Sequence, residues 1–182
     1  MNATEIEKAR YAMHLSKVAF CATLSFAIAL LAAPAVADTD ALQKLVDKAE
    51  IEALVARYVT ALDTRDAEAY AGVFTEDAEF DVTGTVHKGR AAIRKIVTDL
   101  QASRARNEAA GTPSPALYQV MANTSIDVLD EANARHQSYA QTVRAGEDGR
   151  FIIGFMGRYE DVLVKRDGRW LIQSRKLVSF VE

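Results

Sequence analysis

The second half of the sequence contains four strand-like segments that are separated by short turns. The segments are rich in β-branched and aromatic side chains and cover residues 117–128, 134–144, 151–165 and 169–181. Asp-Gly pairs at 148–149 and 167–168 fall between them and are strong hairpin signals. The sequence therefore predicts an antiparallel meander that ends the chain.

A long amphipathic helix is predicted well before this meander, over residues 38–64. Its apolar stripe is formed by Leu42, Leu45, Val46, Ala49, Leu54, Val55, Tyr58, Val59 and Leu62. Tyr58 belongs to the stripe, and Asp63 lies at the carboxyl end of the helix. A phenol and a carboxylate in these positions are either residues at the edge of a core or the beginning of a proton-handling site.

Shorter elements connect the helix to the meander. We predict a helix at 67–74 with Asp66 as its N-cap, a turn at 75–77, a strand at 78–83, a loop at 84–89 that carries His87, a helix at 90–102, and a long loop at 103–115 that is either a lid or disordered. Three helices followed by a curved antiparallel or mixed sheet make an α+β domain.

The first 37 residues resemble a secretory signal peptide. A basic segment with Lys8, Arg10 and Lys17 precedes an apolar run, and the run ends in Ala35-x-Ala37. We therefore expect export to the periplasm or the medium, with cleavage after Ala37 and one domain at 38–182. The alternative is an uncleaved membrane anchor, because the apolar run could just span a bilayer.

Composition excludes several classes of function. The full chain has 182 residues, 49% hydrophobic content and a net charge of −3, and loss of the predicted leader makes that charge −4, which does not favour nucleic-acid binding. Cys21 is the only cysteine and lies in the leader, so no disulfide or thiol nucleophile is expected in the domain. Since the sequence has no glycine-rich phosphate loop and no paired histidine ligands, we expect neither a metal nor another cofactor.

Six short motifs occur in an order that is similar to one known family. They are Tyr58-x4-Asp63-x2-Asp66, Phe74-Thr75-Glu76-Asp77-Ala78, Gly89-Arg90-Ala91-Ala92-Ile93, Asn123-Thr124-x-Ile126, Gly157-Arg158-Tyr159-x-Asp161 and Asp167-Gly168-Arg169-Trp170-x-Ile172. Over residues 47–178 the chain resembles the SnoaL-like branch of the nuclear-transport-factor-2-like superfamily, in the pattern of the scytalone and bile-acid dehydratases. The resemblance implies a cone of three helices on a strongly curved sheet, and a homodimer.

The resemblance also implies a conical apolar pocket for a small hydrophobic molecule. Its lining would include Phe74, Phe80, Val82, Met121, Phe155 and Tyr159. In a dehydratase or isomerase of this type, Asp63 would act as the base and Tyr58 as its hydroxyl partner. Gln119 would polarise the substrate, and Arg175 would hold its polar group.

The sequence departs from those enzymes at a residue that matters for catalysis. Gln119 stands where they carry a histidine, and Thr142 stands where they carry a second acidic or histidine partner. Glutamine can orient a substrate but cannot exchange a proton. A binding or dimerisation module without catalytic activity is therefore the alternative function.

Three further polar residues are candidates with more than one interpretation. His136 shares strand parity with Thr142 and is expected near the pocket rim, either as a catalytic group or as a structural histidine. His87 is expected to be an exposed loop residue. Asp161 is either a second acid or the partner of Arg175 or Arg158, and we favour the ion pair.

Overall fold

The computed structural model describes residues 33–112, 114–146 and 148–180, with side chains from residue 39 onward. Most of the predicted signal peptide, residues 1–32, lies outside this description. Two compact units are distinguished, one up to Leu45 and one from Val46 onward. Within the described residues, no helix is long and apolar enough to cross a membrane.

Three helices and six strands make up the described chain. In order they are α1 (Ala33–Thr64), α2 (Ala67–Gly72), β1 (Phe74–Val82), β2 (Thr85–Lys88), α3 (Arg90–Ala109), β3 (Leu117–Val128), β4 (Asn133–Ala145), β5 (Phe151–Arg166) and β6 (Arg169–Ser179). The predicted meander is thus confirmed, with each strand boundary within two residues of its expected position.

The first unit contains the beginning of α1. Leu42 and Leu45 are 61% and 64% exposed there, so the prediction that they start the buried stripe is wrong. An exposed ion pair joins Lys44 to Asp40 at 3.5 Å, one helical turn apart.

In the second unit, α1 is amphipathic as predicted. Its buried side chains follow the helical period and are Ile51, Leu54, Val55, Tyr58 and Ala61. The helix ends at Thr64 because Arg65 adopts a left-handed conformation with φ of 56°. Asp66 then caps α2, accepting the backbone N–H of Ala69 at 2.9 Å, as the sequence predicts.

The six strands form one mixed sheet in the order β2-β1-β6-β5-β4-β3. Only β1 and β6 run parallel, and every other neighbouring pair is antiparallel. The sheet curves and does not close, and the pairings of β3 with β4, of β4 with β5 and of β5 with β6 each contain an irregularity in register. We call the face that carries Ala134, Ser138 and Ala140, all buried, the inner face.

The early strands and the third helix differ from prediction. The segment 75–77 was predicted as a turn but is part of β1. The segment 84–89 was predicted as a loop but contains β2, which forms a hairpin with β1 and pairs His87 with Phe80. The helix predicted to end at residue 102 continues to Ala109 as α3, so most of the predicted long loop is helical. Ion pairs such as that of Arg104 with Glu108 stabilise this extension. Its surface is polar, so no apolar stripe predicts it.

One buried carboxylate ties α1 to the hairpin between β5 and β6. Asp47 is 2% exposed and accepts hydrogen bonds from Lys165 Nζ at 2.7 Å and from Trp170 Nε1 at 3.1 Å. Trp170 is buried, as its strand alternation predicts. The carboxylate therefore satisfies the indole N–H and partly neutralises the lysine.

We expect Asp47→Ala to lower the free energy of unfolding by about 2 kcal/mol, because it leaves a buried indole N–H without its acceptor and removes the nearer of the two carboxylates that pair with Lys165. Urea unfolding of purified protein measures this difference. Asp40→Ala is the matched control and should change stability by less than about 0.5 kcal/mol, since its ion pair is exposed. Equal effects of the two substitutions would contradict this assignment.

Candidate functional site

A row of paired residues crosses the inner face of the sheet from β3 to β2. The paired positions, in order, are Ile126, His136, Asp161, Arg175, Phe80 and His87. Side chains at directly paired positions point to the same face. The strand registers therefore bring together three ionisable side chains that are distant in sequence: His136, Asp161 and Arg175.

Asp161 lies at the centre of this group and is bonded from both sides. Its Oδ1 accepts from Arg175 Nε at 2.8 Å, and its Oδ2 accepts from Arg175 Nη2 at 2.6 Å. On the other side, His136 Nδ1 lies 2.6 Å from Oδ2. All three side chains are fully buried. The predicted Asp161–Arg175 ion pair is confirmed, and we call these three residues the buried triad.

The charges of the triad are fixed by their mutual contacts. Burial by itself would raise the pKa of Asp161, but the charge and hydrogen bonds of Arg175, with the hydrogen bond from His136, hold that pKa below its ordinary value. Burial would likewise lower the pKa of Arg175, but Asp161 more than compensates and raises it. Because Asp161 is an ionised acceptor, His136 Nδ1 must carry the proton and donate it.

Two atoms of the buried triad have no hydrogen-bond partner among the described residues. They are His136 Nε2 and Arg175 Nη1. Buried polar atoms without a partner are uncommon and cost free energy. Both atoms are thus available to a molecule that enters the interior.

Two tyrosines flank the guanidinium of Arg175, and a third tyrosine contacts one of them. Its Cζ lies 4.0 Å from the ring centroid of Tyr58 and 4.3 Å from that of Tyr159, which is cation–π geometry. The hydroxyl of Tyr58 lies 3.0 Å from that of Tyr159 and 3.4 Å from that of Tyr70. Burial, reinforced by the neighbouring Tyr58, raises the pKa of Tyr70 and of Tyr159, so both phenols stay protonated and can donate hydrogen bonds.

Asp63 and Gln119 connect to this tyrosine cluster. Asp63 is half-buried, and its Oδ1 accepts the backbone N–H of Gln119 at 2.8 Å. The Gln119 side chain in turn donates from Nε2 to the hydroxyl of Tyr159 at 3.4 Å. The structure thus brings Asp63, Gln119, Tyr58 and Arg175 into one connected group, as the resemblance implies. Asp63 also ties α1 to β3.

The remaining predicted lining residues lie around the same group. Phe74, Phe80 and Tyr159 are buried, and the ring centroids of Phe80 lie 6.0 Å from Phe74 and 6.3 Å from Tyr159. Val82 and Met121 are half-buried and pack against the core. The interior surface beside the polar groups is therefore aromatic and apolar.

Two cavities are found in the described residues. One of about 340 Å³ is lined by residues of α1 and the β5–β6 hairpin, including Arg57 and Trp170. The other, of about 460 Å³, is lined mainly by residues whose positions alternate with those of the inner face, such as Arg135 and Glu160, and also by His136 and Asp161. Neither cavity is lined by Asp63 or Tyr58.

His136 is the site residue that the sequence placed least accurately. It was expected at the rim, but it is 2% exposed and held by Asp161. Strand parity put it on the correct face, whereas its partner depended on the register between β4 and β5. His87 is half-buried on β2, opposite Phe80. Within the described residues, no three histidine, cysteine or acidic side chains converge as a metal site would require.

Comparison with known proteins identifies the family. A model of the SnoaL-like domain matches residues 43–176. The chain belongs to the SnoaL-like domain family. No curated protein matches the sequence significantly.

Several solved structures resemble this SnoaL-like chain. A protein of unknown function from Mycobacterium tuberculosis is 31% identical over 75% of this chain and 73% of its own, with a TM-score of 0.63. A nuclear-transport-factor-2-like protein with a cystatin-like fold from Novosphingobium aromaticivorans is 25% identical over 79% of this chain and 88% of its own, with a TM-score of 0.67.

A second protein from the same organism is provisionally named a scytalone dehydratase. It is 27% identical over 76% of this chain and 87% of its own, with a TM-score of 0.61. These matches confirm the expected fold, with helices packed against a curved six-stranded mixed sheet.

We expect Asp161→Asn to destabilise this SnoaL-like domain by about 3 kcal/mol at neutral pH, because the buried Arg175 loses its counter-ion. Glu160→Gln, on the opposite face, is the matched control and should cost less than about 1 kcal/mol. Chemical denaturation of the three proteins measures both values.

The same comparison has a defined pH dependence. The folded-state pKa of Asp161 lies below its ordinary value of 3.8, so its ionic stabilisation is complete above 3.8 and is lost as the pH falls through the lower, folded value. The stability difference between wild type and Asp161→Asn should therefore shrink in acid, and a constant difference would contradict the ionic origin.

Proposed function

We propose that this SnoaL-like protein binds a small, largely apolar molecule and catalyses a cofactor-independent elimination or isomerisation on it. The observation that supports this most directly is the continuous polar connection from Asp63 through Gln119 and Tyr159 to Tyr58. It connects a half-buried carboxylate to buried phenols, which is the combination that proton abstraction beside a carbonyl group requires.

In the proposed reaction, Asp63 removes a proton from a carbon next to the substrate's carbonyl. One oxygen of Asp63 is occupied by the backbone of Gln119, and Asp63 is half-buried, so its second oxygen is the one that receives the proton. The electron pair moves to the carbonyl oxygen, where the phenol of Tyr58 or Tyr159 donates a hydrogen bond to the developing charge. In elimination the electron pair returns from that oxygen to form a carbon–carbon double bond, and the hydroxyl on the next carbon leaves as water with the proton that Asp63 removed. In isomerisation Asp63 returns the proton to a different carbon.

A second candidate function is that of a non-catalytic module for small-molecule binding or for dimerisation. Gln119 favours it, because a glutamine replaces the proton-exchanging histidine that the dehydratases carry. The packed aromatic rings of the interior favour the dimerisation module, since they leave the predicted pocket lining in contact with itself. The neighbour from Novosphingobium aromaticivorans that is provisionally named a scytalone dehydratase supports the catalytic candidate instead.

We expect Asp63→Asn to reduce proton exchange or water elimination by about 100-fold or more on a panel of cyclic ketones and β-hydroxy carbonyl compounds. Solvent-deuterium incorporation followed by mass spectrometry, together with loss of substrate, measures both reactions. Asp99→Asn is the control, because Asp99 is an exposed carboxylate on α3 that pairs with Lys95 one helical turn away. Equal turnover by wild type and Asp63→Asn would leave only the binding function.

We also propose that the protein is exported and processed after Ala37, as the leader-like sequence predicts. Intact-mass measurement of the protein recovered from the periplasm or the medium should give a chain that begins near Asp38. Recovery of the intact chain in the membrane fraction would favour an uncleaved anchor.

A further inference from the structure

The two unpartnered atoms of the buried triad are unexplained by a purely structural role. The ion pair between Asp161 and Arg175 needs neither His136 nor a free Nη1, and each buried polar atom without a partner is unfavourable. An apolar residue in place of His136 would avoid that cost. The arrangement is therefore better explained if a polar group of a bound molecule completes it.

The chemistry of the two atoms defines that polar group. Asp161 accepts the Nδ1 proton of His136, which leaves Nε2 as a lone-pair acceptor that needs an O–H or N–H donor. Arg175 uses Nε and Nη2 on Asp161, so the N–H groups of Nη1 need an acceptor. A hydroxyl group meets both requirements, since its hydrogen is donated and its oxygen accepts.

The net charge of the triad favours an acidic hydroxyl over an ordinary alcohol. Arg175 and Asp161 compensate each other, so transfer of a hydroxyl proton to Nε2 creates a histidinium beside the ionised Asp161 and an oxyanion that Nη1 can hold. Only a hydroxyl on an unsaturated carbon is acidic enough to share its proton in this way. The rings of Tyr58, Phe80 and Tyr159 provide aromatic surfaces beside it.

We propose that His136 Nε2 and Arg175 Nη1 form a binding subsite for a phenolic or enolic hydroxyl group, with His136 as the proton acceptor. The proton moves from the hydroxyl oxygen to Nε2, the O–H electron pair stays on that oxygen, and the resulting oxyanion accepts from Nη1. This inference rests on the proposed function, because it requires that a small molecule enters the interior. It supplies the proton-exchanging group that Gln119 cannot provide.

The test uses 4-nitrophenol as the probe, because its ionised and neutral forms absorb at different wavelengths. We expect the full-length wild-type protein to bind it at a pH below the probe's own pKa and to increase its ionised fraction. The methyl ether 4-nitroanisole has no proton to give and should bind about tenfold more weakly, the difference made by one charge-assisted hydrogen bond. Equal binding of the two compounds, or no binding of either, would overturn the subsite.

The matched variants are His136→Asn and His87→Asn. The asparagine side chain in His136→Asn retains a donor for Asp161 but has no counterpart of Nε2, so this variant should not increase the ionised fraction of 4-nitrophenol. His87→Asn should increase that fraction as the wild-type protein does. If His136→Asn does not fold, the comparison of phenol with ether in the wild-type protein still decides. An unchanged spectrum with folded His136→Asn would mean that Nε2 meets only buried water.

Failure of this inference is distinguishable from failure of the proposed function. Asp63→Asn should bind 4-nitrophenol as wild type does, because the subsite contains no Asp63 atom. If Asp63→Asn loses turnover but the wild-type protein does not bind 4-nitrophenol, the catalytic function stands and the subsite is rejected. Phenol binding that depends on His136, without any turnover, would preserve the subsite and leave binding as the function.

Discussion

The ion pair between Asp161 and Arg175 is the interaction on which the interior of this SnoaL-like domain depends. Two full charges are buried between β5 and β6, where each requires the other to offset its loss of hydration. The bidentate geometry fixes the plane of the guanidinium, and that plane determines where Tyr58 and Tyr159 pack. The orientation of the phenols, and through Tyr159 that of Gln119, therefore follows from one ion pair.

The fold was predictable from the sequence to the extent that periodicity and turn residues determine it. Asp-Gly pairs and alternation located the meander, and the apolar stripe located the buried part of α1. The errors occur where those signals are weak. The continuation of α3 to Ala109 has a polar surface, and β2 is a four-residue strand, so neither has a hydrophobic period to detect. Leu42 and Leu45 fit the stripe, but their side chains are exposed.

The site was only partly predictable, because its contacts depend on strand register. The motifs identified Asp63, Tyr58, Gln119 and Arg175, and the structure connects them. The pairing of His136 with Asp161 depends on which residue of β5 lies opposite which residue of β4, and a shift of one position would send one side chain to the other face. Alternation within one strand predicts the face of the sheet on which a side chain lies, but not the residue that pairs with it on the neighbouring strand.

The arrangement separates two tasks that one carboxylate–histidine pair performs in the dehydratases that the sequence resembles. Asp63 is half-buried and linked to β3 through a backbone N–H, so it remains close to solvent at the end of α1. The histidine with a carboxylate partner lies instead in the middle of the sheet, where His136 is shielded from water and fixed by Asp161. A carboxylate near solvent can exchange its proton readily, whereas a shielded imidazole interacts more strongly with any charge that forms beside it. Under the proposed function, the glutamine at position 119 therefore does not remove acid–base capacity from the interior, because His136 on the neighbouring strand supplies it.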